Sequence, residues 1–120
     1  MNILYKTPKF KEDFKELAQF PELVMLSMSQ WALTAAKGRS VMYSKLFGVD
    51  IKQEQIKMQQ FFDKLPQDKK DNFAQIVKSG LVEMPIILTI GGQNKILGGK
   101  TRLAGLIKDG VDPYVWNIQI

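Results

Sequence analysis

The sequence predicts an α+β protein, with a helical N-terminal two thirds packed on a small mixed β-sheet. Three observations predict it. Apolar residues recur at helical spacing from Lys9 to Val77, with breaks at Gly38, Gly48, Pro66 and Gly80. A β-branched-rich run, Pro85 to Ile90, is followed by Gly91-Gly92 and a returning apolar segment. The chain then closes on Tyr114 to Ile120, an apolar and partly alternating stretch. At 120 residues this is the size of one domain. Residues 1–71 form its helical portion and residues 72–120 a core of strand, strand, helix and strand.

Taken in order, Lys9 to Phe20 places Phe10, Phe14, Leu17 and Phe20 on one stripe of a helix, with Lys11, Glu12, Asp13 and Lys15 outside it. Pro21 suits the first turn of a second helix running through Leu23, Trp31 and Ala35 to Gly38. A third helical stretch, Ser40 to Leu46, ends at Gly48. Asp50 then caps a helix carrying Ile51, Met58, Phe61, Phe62 and Leu65, which Pro66 stops. Asp68 caps a fifth helix through Phe73 and Ile76, which Gly80 terminates through a left-handed backbone conformation. Pro85 to Ile90 and Lys95 to Leu97 form a hairpin. Thr101 to Lys108 is a helix stopped at Gly110, and Asp112-Pro113 turns the chain into the final strand.

Composition narrows the chemistry. With no Cys and no His, disulfide scaffolds, thiol nucleophiles, Cys/His zinc sites and Ser-His-Asp triads are excluded. Proton transfer is left to Asp, Glu, Lys or Tyr, and any metal to oxygen ligands. The net charge of +5 favours anionic partners, because a basic surface attracts phosphates at long range. The longest largely apolar stretch, residues 84–90, is too short to span a bilayer, and the N-terminus lacks the basic and apolar segments of a signal peptide. A cytoplasmic protein, in a bacterium or an infected host cell, is expected, with no membrane partner.

The candidate ligand site is Gly98-Gly99-Lys100-Thr101-Arg102, placed between the second strand and its following helix. A helix N-terminus presents unpaired N–H groups and about half a unit of positive charge, and both favour an anion. The glycines admit a close backbone approach. Lys100 adds a point charge, Arg102 a planar fork for two phosphate oxygens, and Thr101 a hydroxyl that either caps the helix or donates to the ligand. Without a ligand the same residues make a tight turn, a cap and two solvated cations.

Residues Asn72 to Leu81, followed by Pro85-Ile86-Ile87-Leu88, resemble the ParB-type pattern of a helix, a Gly-Leu exit and a Pro-Ile strand. Lys95 to Ala104 is similar to the strand, Gly-x-x-Arg loop and Leu-Ala helix of the same ParB/sulfiredoxin superfamily, and Pro113 to Ile118 takes the place of its last short strand. The resemblance implies a ParB/sulfiredoxin-type sheet and a phosphate-binding loop in which Gly99 and Arg102 contact the ligand. The superfamily includes partition proteins that bind and hydrolyse CTP, ATP-using sulfiredoxins, free-serine kinases and ParB-like nucleases of plasmids and phages. It therefore implies a phage or mobile-element protein that takes a nucleotide or a nucleic-acid phosphate, including a nucleoside triphosphate with Mg2+.

The departures are specific. Lys100 and Thr101 stand where sulfiredoxins carry cysteine and histidine, so reductase chemistry is excluded. The loop also lacks the acidic and first basic residues usual in partition proteins, Glu83-Met84 adds a residue before Pro85, and no helix-turn-helix segment follows the last strand. A partition protein is not expected. Activity as a nucleotide hydrolase, phosphotransferase or nuclease would need a base, for which Glu83 is the candidate, read alternatively as a solvated strand edge.

Other residues have two readings each. Lys37-Gly38-Arg39-Ser40 is a linker or an anion-contacting turn, and Asp109 and Asp112 a helix exit or a cation site. Trp31, Tyr114 and Trp116 are core residues or base-stacking platforms, and the six methionines fill the helical core. The competing function is a catalytically inactive protein–protein interaction module, a phage or host regulator that keeps the fold. An open sheet edge would also permit an oligomer.

Overall fold

A computed structural model describes residues 3–120, apart from the side chain of Glu12. The predicted solvent side of Glu12 therefore lies outside the described residues. The elements run β1 (Leu4–Lys6), a 3-10 segment (Phe10–Gln19), α1 (Met28–Ala36), β2 (Arg39–Met42), α2 (Tyr43–Phe47), α3 (Ile51–Asp63) and α4 (Gln67–Ser79). After these come β3 (Leu81–Glu83), β4 (Ile86–Ile90), β5 (Gln93–Gly98), α5 (Lys100–Lys108) and β6 (Tyr114–Gln119).

Four strands form the main sheet in the order β2-β6-β4-β5. It is mixed: β6 runs parallel to β4 and antiparallel to β2, while β4 and β5 are an antiparallel hairpin. One face carries Ile86, Leu88, Leu97 and Ile118 and is covered by Leu17, Phe20, Leu23, Trp31 and Ala35. The other carries Ile87, Ile96 and Val115 and is covered by α2, α3 and α5 through Tyr43, Met58, Leu103 and Ile107. The α+β architecture on a mixed sheet is as expected. A separate parallel pair, β1 with β3, was not foreseen and packs through Val82 with Phe62, Phe73 and Leu106.

Two stretches depart from the predicted helices for identifiable reasons. Phe14, Leu17, Phe20, Leu23 and Leu26 recur every three residues, which matches the 3.0-residue turn of a 3-10 helix better than the 3.6 of an α-helix. The chain accordingly makes i to i−3 bonds, Phe20 N to Leu17 O, Leu23 N to Phe20 O and Leu26 N to Leu23 O, and α1 begins only at Met28. Ser27 caps it by accepting from Gln30 N while the Gln30 side chain accepts from Ser27 N.

The second departure is at residues 40–46, predicted helical. Arg39 to Met42 instead pair with Asn117 to Tyr114 as an edge strand, leaving only Tyr43 to Phe47 helical. Gly38 brings the chain against β6, where a Cβ would meet the Trp116 indole and the Asn117 carbonyl. The indoles of Trp31 and Trp116 donate to Phe10 O at 2.7 Å and Ala35 O at 2.8 Å. They tie the 3-10 segment to α1 and α1 to β6. Among the described residues no helix is long and apolar enough to cross a membrane.

Candidate functional site

The hairpin sets up the site. Gly91 and Gly92 have φ of +57° and +79°, so a two-residue turn of mirror-image geometry reverses the chain and β5 returns beside β4. The pairing is regular from Ile90↔Gln93 to Ile87↔Ile96, then shifts so that Ile86 faces Gly98. This irregularity between Ile86 and Ile87 re-aims the chain as it leaves the sheet. Gly99 follows with φ +87° as the N-cap of α5.

Gly99 is required by both conformation and space. A Cβ there would lie 3.0 Å from Pro85 Cα and Cβ and 2.6 Å from a terminal guanidinium nitrogen of Arg102. Because Gly99 has no side chain, it cannot cap the first-turn N–H groups of α5 itself. Thr101 is the second residue of the helix and Gly99 holds the N-cap position, so no side chain caps α5 and the predicted cap at Thr101 is not formed.

The loop borders a cleft of about 740 Å³, walled by Gly98 to Arg102 together with Glu16, Phe47, Lys69, Asn94 and Ile96. All five predicted ligand residues are thus brought to one opening. Three cations, Lys69, Lys100 and Arg102, face one carboxylate, Glu16, among its lining side chains. A second hollow of about 250 Å³ shares Lys69, Thr101 and Arg102 and adds Asn72 of α4. Asp13 comes up on the 3-10 side, where a Cβ at Gly98 would meet its carboxylate.

Within this cleft Arg102 stands out. Its Nε is buried and has no hydrogen-bond partner. An unpaired buried donor on a cation costs about 1 to 3 kcal/mol or more, and because solvent does not reach this atom the cost is relieved only when the guanidinium turns toward an acceptor. Lys100 Nζ lies 4.5 Å from the centre of the Phe61 ring, a cation–π contact that keeps the ammonium at the helix start.

Other predicted residues are engaged elsewhere. Glu83 sits on β3, where its Oε1 accepts from Lys9 N at 2.9 Å, and it does not line the cleft. Asp112 accepts from the N–H and hydroxyl of Ser44, and Asp109 pairs with Lys108 at 2.8 Å. Trp31 is fully buried, while Tyr114 is exposed and packs edge-on against Tyr5 at 5.5 Å. Among the described residues no group of three or more acidic side chains is arranged to hold a metal ion.

Lys69, Asn94 and Phe47 also line the cleft, with no motif in the sequence that marks them. Asn94 lies just before the predicted strand Lys95 to Leu97, but it belongs to β5 and is held by Thr89 Oγ1 and Leu46 O. Phe47 stacks on Tyr43 with ring centres 4.3 Å apart. Burial, then the nearby Glu54 carboxylate, push the Tyr43 phenol up to about 12. The chain matches no protein-family model, no curated protein and no solved structure.

Proposed function

We propose that this protein binds a phosphate-bearing ligand, a nucleotide or a nucleic-acid phosphate, in the cleft at the start of α5, and that it is a ParB/sulfiredoxin-like protein. The carrying observation is the buried, unpartnered Nε of Arg102 in a cleft that also holds Lys69, Lys100 and the N-terminus of α5. These groups supply a planar fork, two point charges and backbone donors, the set that suits a phosphate. The order strand, strand, helix, strand at the C-terminus supports the family reading.

The reading is of binding rather than turnover. Glu83, the predicted base, is held by Lys9 N away from the cleft lining. Calorimetric titration of nucleoside triphosphates, tripolyphosphate and short DNA tests the proposal. Arg102→Ala removes charge-assisted bonds worth about 1.5 to 3 kcal/mol, a loss of roughly 10- to 100-fold in Kd. Equal binding by wild type and Arg102→Ala overturns it.

The second reading, an interaction module, is favoured by the apolar surface beside α1, where Met25 is 89% and Leu33 68% exposed. It takes precedence if Arg102→Ala leaves anion binding unchanged.

A further inference from the structure

The cleft has two chemically different ends. The Gly98 to Arg102 end is cationic. At the other end stand an aromatic ring, Phe47, and a primary amide, Asn94, both part of the same lining. Asn94 and Gly98 lie four steps apart along β5, about 13 Å at the strand rise of ~3.3 Å. Ile96 lies between them as an apolar floor.

The Asn94 amide is held in one orientation by a relay rooted in the sheet. Asn117 is fully buried on β6; its Nδ2 donates to Ile87 O at 3.1 Å and to Thr89 Oγ1 at 2.8 Å, and its Oδ1 accepts from Gln119 Nε2 at 2.7 Å. That acceptance fixes which way the Asn117 amide faces. The Thr89 hydroxyl, having accepted from Asn117, spends its single proton on Asn94 Oδ1 at 2.7 Å. Asn94 Nδ2 then donates to Leu46 O at 3.1 Å. Turning the Asn94 amide over would set its oxygen against the Leu46 carbonyl and take away the acceptor of the Thr89 proton.

An amide offers two donor and two acceptor positions. Two are engaged, which leaves one N–H and one lone pair on the same planar group. That pair complements a flat edge carrying an acceptor beside a donor, as on a nucleobase. Phe47, backed on one face by Tyr43, supplies a rigid apolar wall against which a planar ring can pack.

We propose that Asn94 and Phe47 form the base-recognition end of the cleft, reading the nucleobase of a nucleotide whose phosphates occupy the Gly98 to Arg102 loop, with Thr89 and Asn117 as positioning residues for the Asn94 amide. This rests on the phosphate-binding reading above. It adds a prediction that reading does not make: the protein discriminates between bases, and does so through a fixed amide.

The experiment is calorimetric titration of tripolyphosphate, ATP, GTP, CTP and UTP against wild type, Asn94→Leu and Thr89→Val, with melting temperatures taken alongside. Wild type is expected to bind at least one triphosphate tenfold or more tighter than tripolyphosphate, with a spread of tenfold or more across the four bases. Asn94→Leu is expected to cut the ratio of nucleotide to tripolyphosphate affinity by tenfold or more. Thr89→Val, which leaves Asn94 in place but frees its amide, is expected to narrow the spread between bases. If wild type binds tripolyphosphate and all four nucleotides alike, the base end is overturned and the phosphate site stands. If it binds none of the five, both fall. An equal loss of tripolyphosphate and nucleotide affinity in Asn94→Leu makes Asn94 a structural residue and overturns its role in recognition.

Discussion

Replacing Gly99 with alanine separates two costs that the loop imposes, conformation and space. At φ +87° an L-residue carries the left-handed penalty of roughly 1 to 2 kcal/mol. The new Cβ also sits 3.0 Å from Pro85 Cα and Cβ, inside ordinary contact, and Pro85 is buried backbone that cannot swing away. Overpacking of this kind adds about 1 to 3 kcal/mol. Gly48 provides the control, because it has φ +64° and open space where its Cβ would go. Both substitutions restrict the unfolded chain equally, so that contribution cancels in the comparison. At about 4 °C per kcal/mol for a chain of this length, Gly48→Ala should lower Tm by about 4 to 8 °C and Gly99→Ala by about 8 to 20 °C. Paired thermal melts in one buffer measure both. Equal shifts for the two variants would refute the claim that Pro85 crowds the loop.

Gly105→Ala raises the helix propensity of α5 by about 1 kcal/mol, yet its Cβ would meet the Phe73 ring at 2.5 Å. That ring is buried and packs edge-on against Phe62, so it must shift to admit the methyl. Net destabilisation of up to about 2 kcal/mol in urea is expected, with partial recovery in the Gly105→Ala/Phe73→Leu double variant, whereas a stabilised single variant contradicts the packing. For Tyr43, the folded-state pKa of about 12 exceeds the model-compound value of 10.0. Below pH 10 both states are neutral and the contribution is constant. Between pH 10 and 12 the unfolded state ionises first and stability falls. Relative to Tyr43→Phe, wild type should therefore lose stability across that window, as urea titrations at pH 8, 10 and 11 would show; parallel curves would contradict the shift.

Where local chemistry decides the backbone, the sequence was readable. Asp50 accepts from Lys52 N at 2.8 Å as a helix cap, Gly80 ends α4 at φ +74°, and Gly91-Gly92 makes the hairpin. Where partners far along the chain decide, it was not. Residues 39–42 carry no strand signal of their own and become one because β6 offers an open edge. The strands β1 and β3, three residues each, exist through pairing across more than seventy residues. The 3-10 segment was legible in principle, since its apolar period is three, but Phe10 and Phe14 at a spacing of four suggested an α-helix. The loop from Gly98 to Arg102 is contiguous and could be found by reading along the chain. Asn94 lies on the same strand as Gly98, whereas Lys69 and Phe47 reach the cleft from α4 and α2, and only the fold brings them there.

A phosphate site at the start of α5 is read residue by residue through backbone amide NMR during a tripolyphosphate titration. Saturable shifts are expected for the N–H groups of Gly99, Lys100, Thr101 and Arg102, weakened 10-fold or more in Arg102→Ala. Absence of shifts in that loop, or equal titration curves for the two proteins, would contradict it.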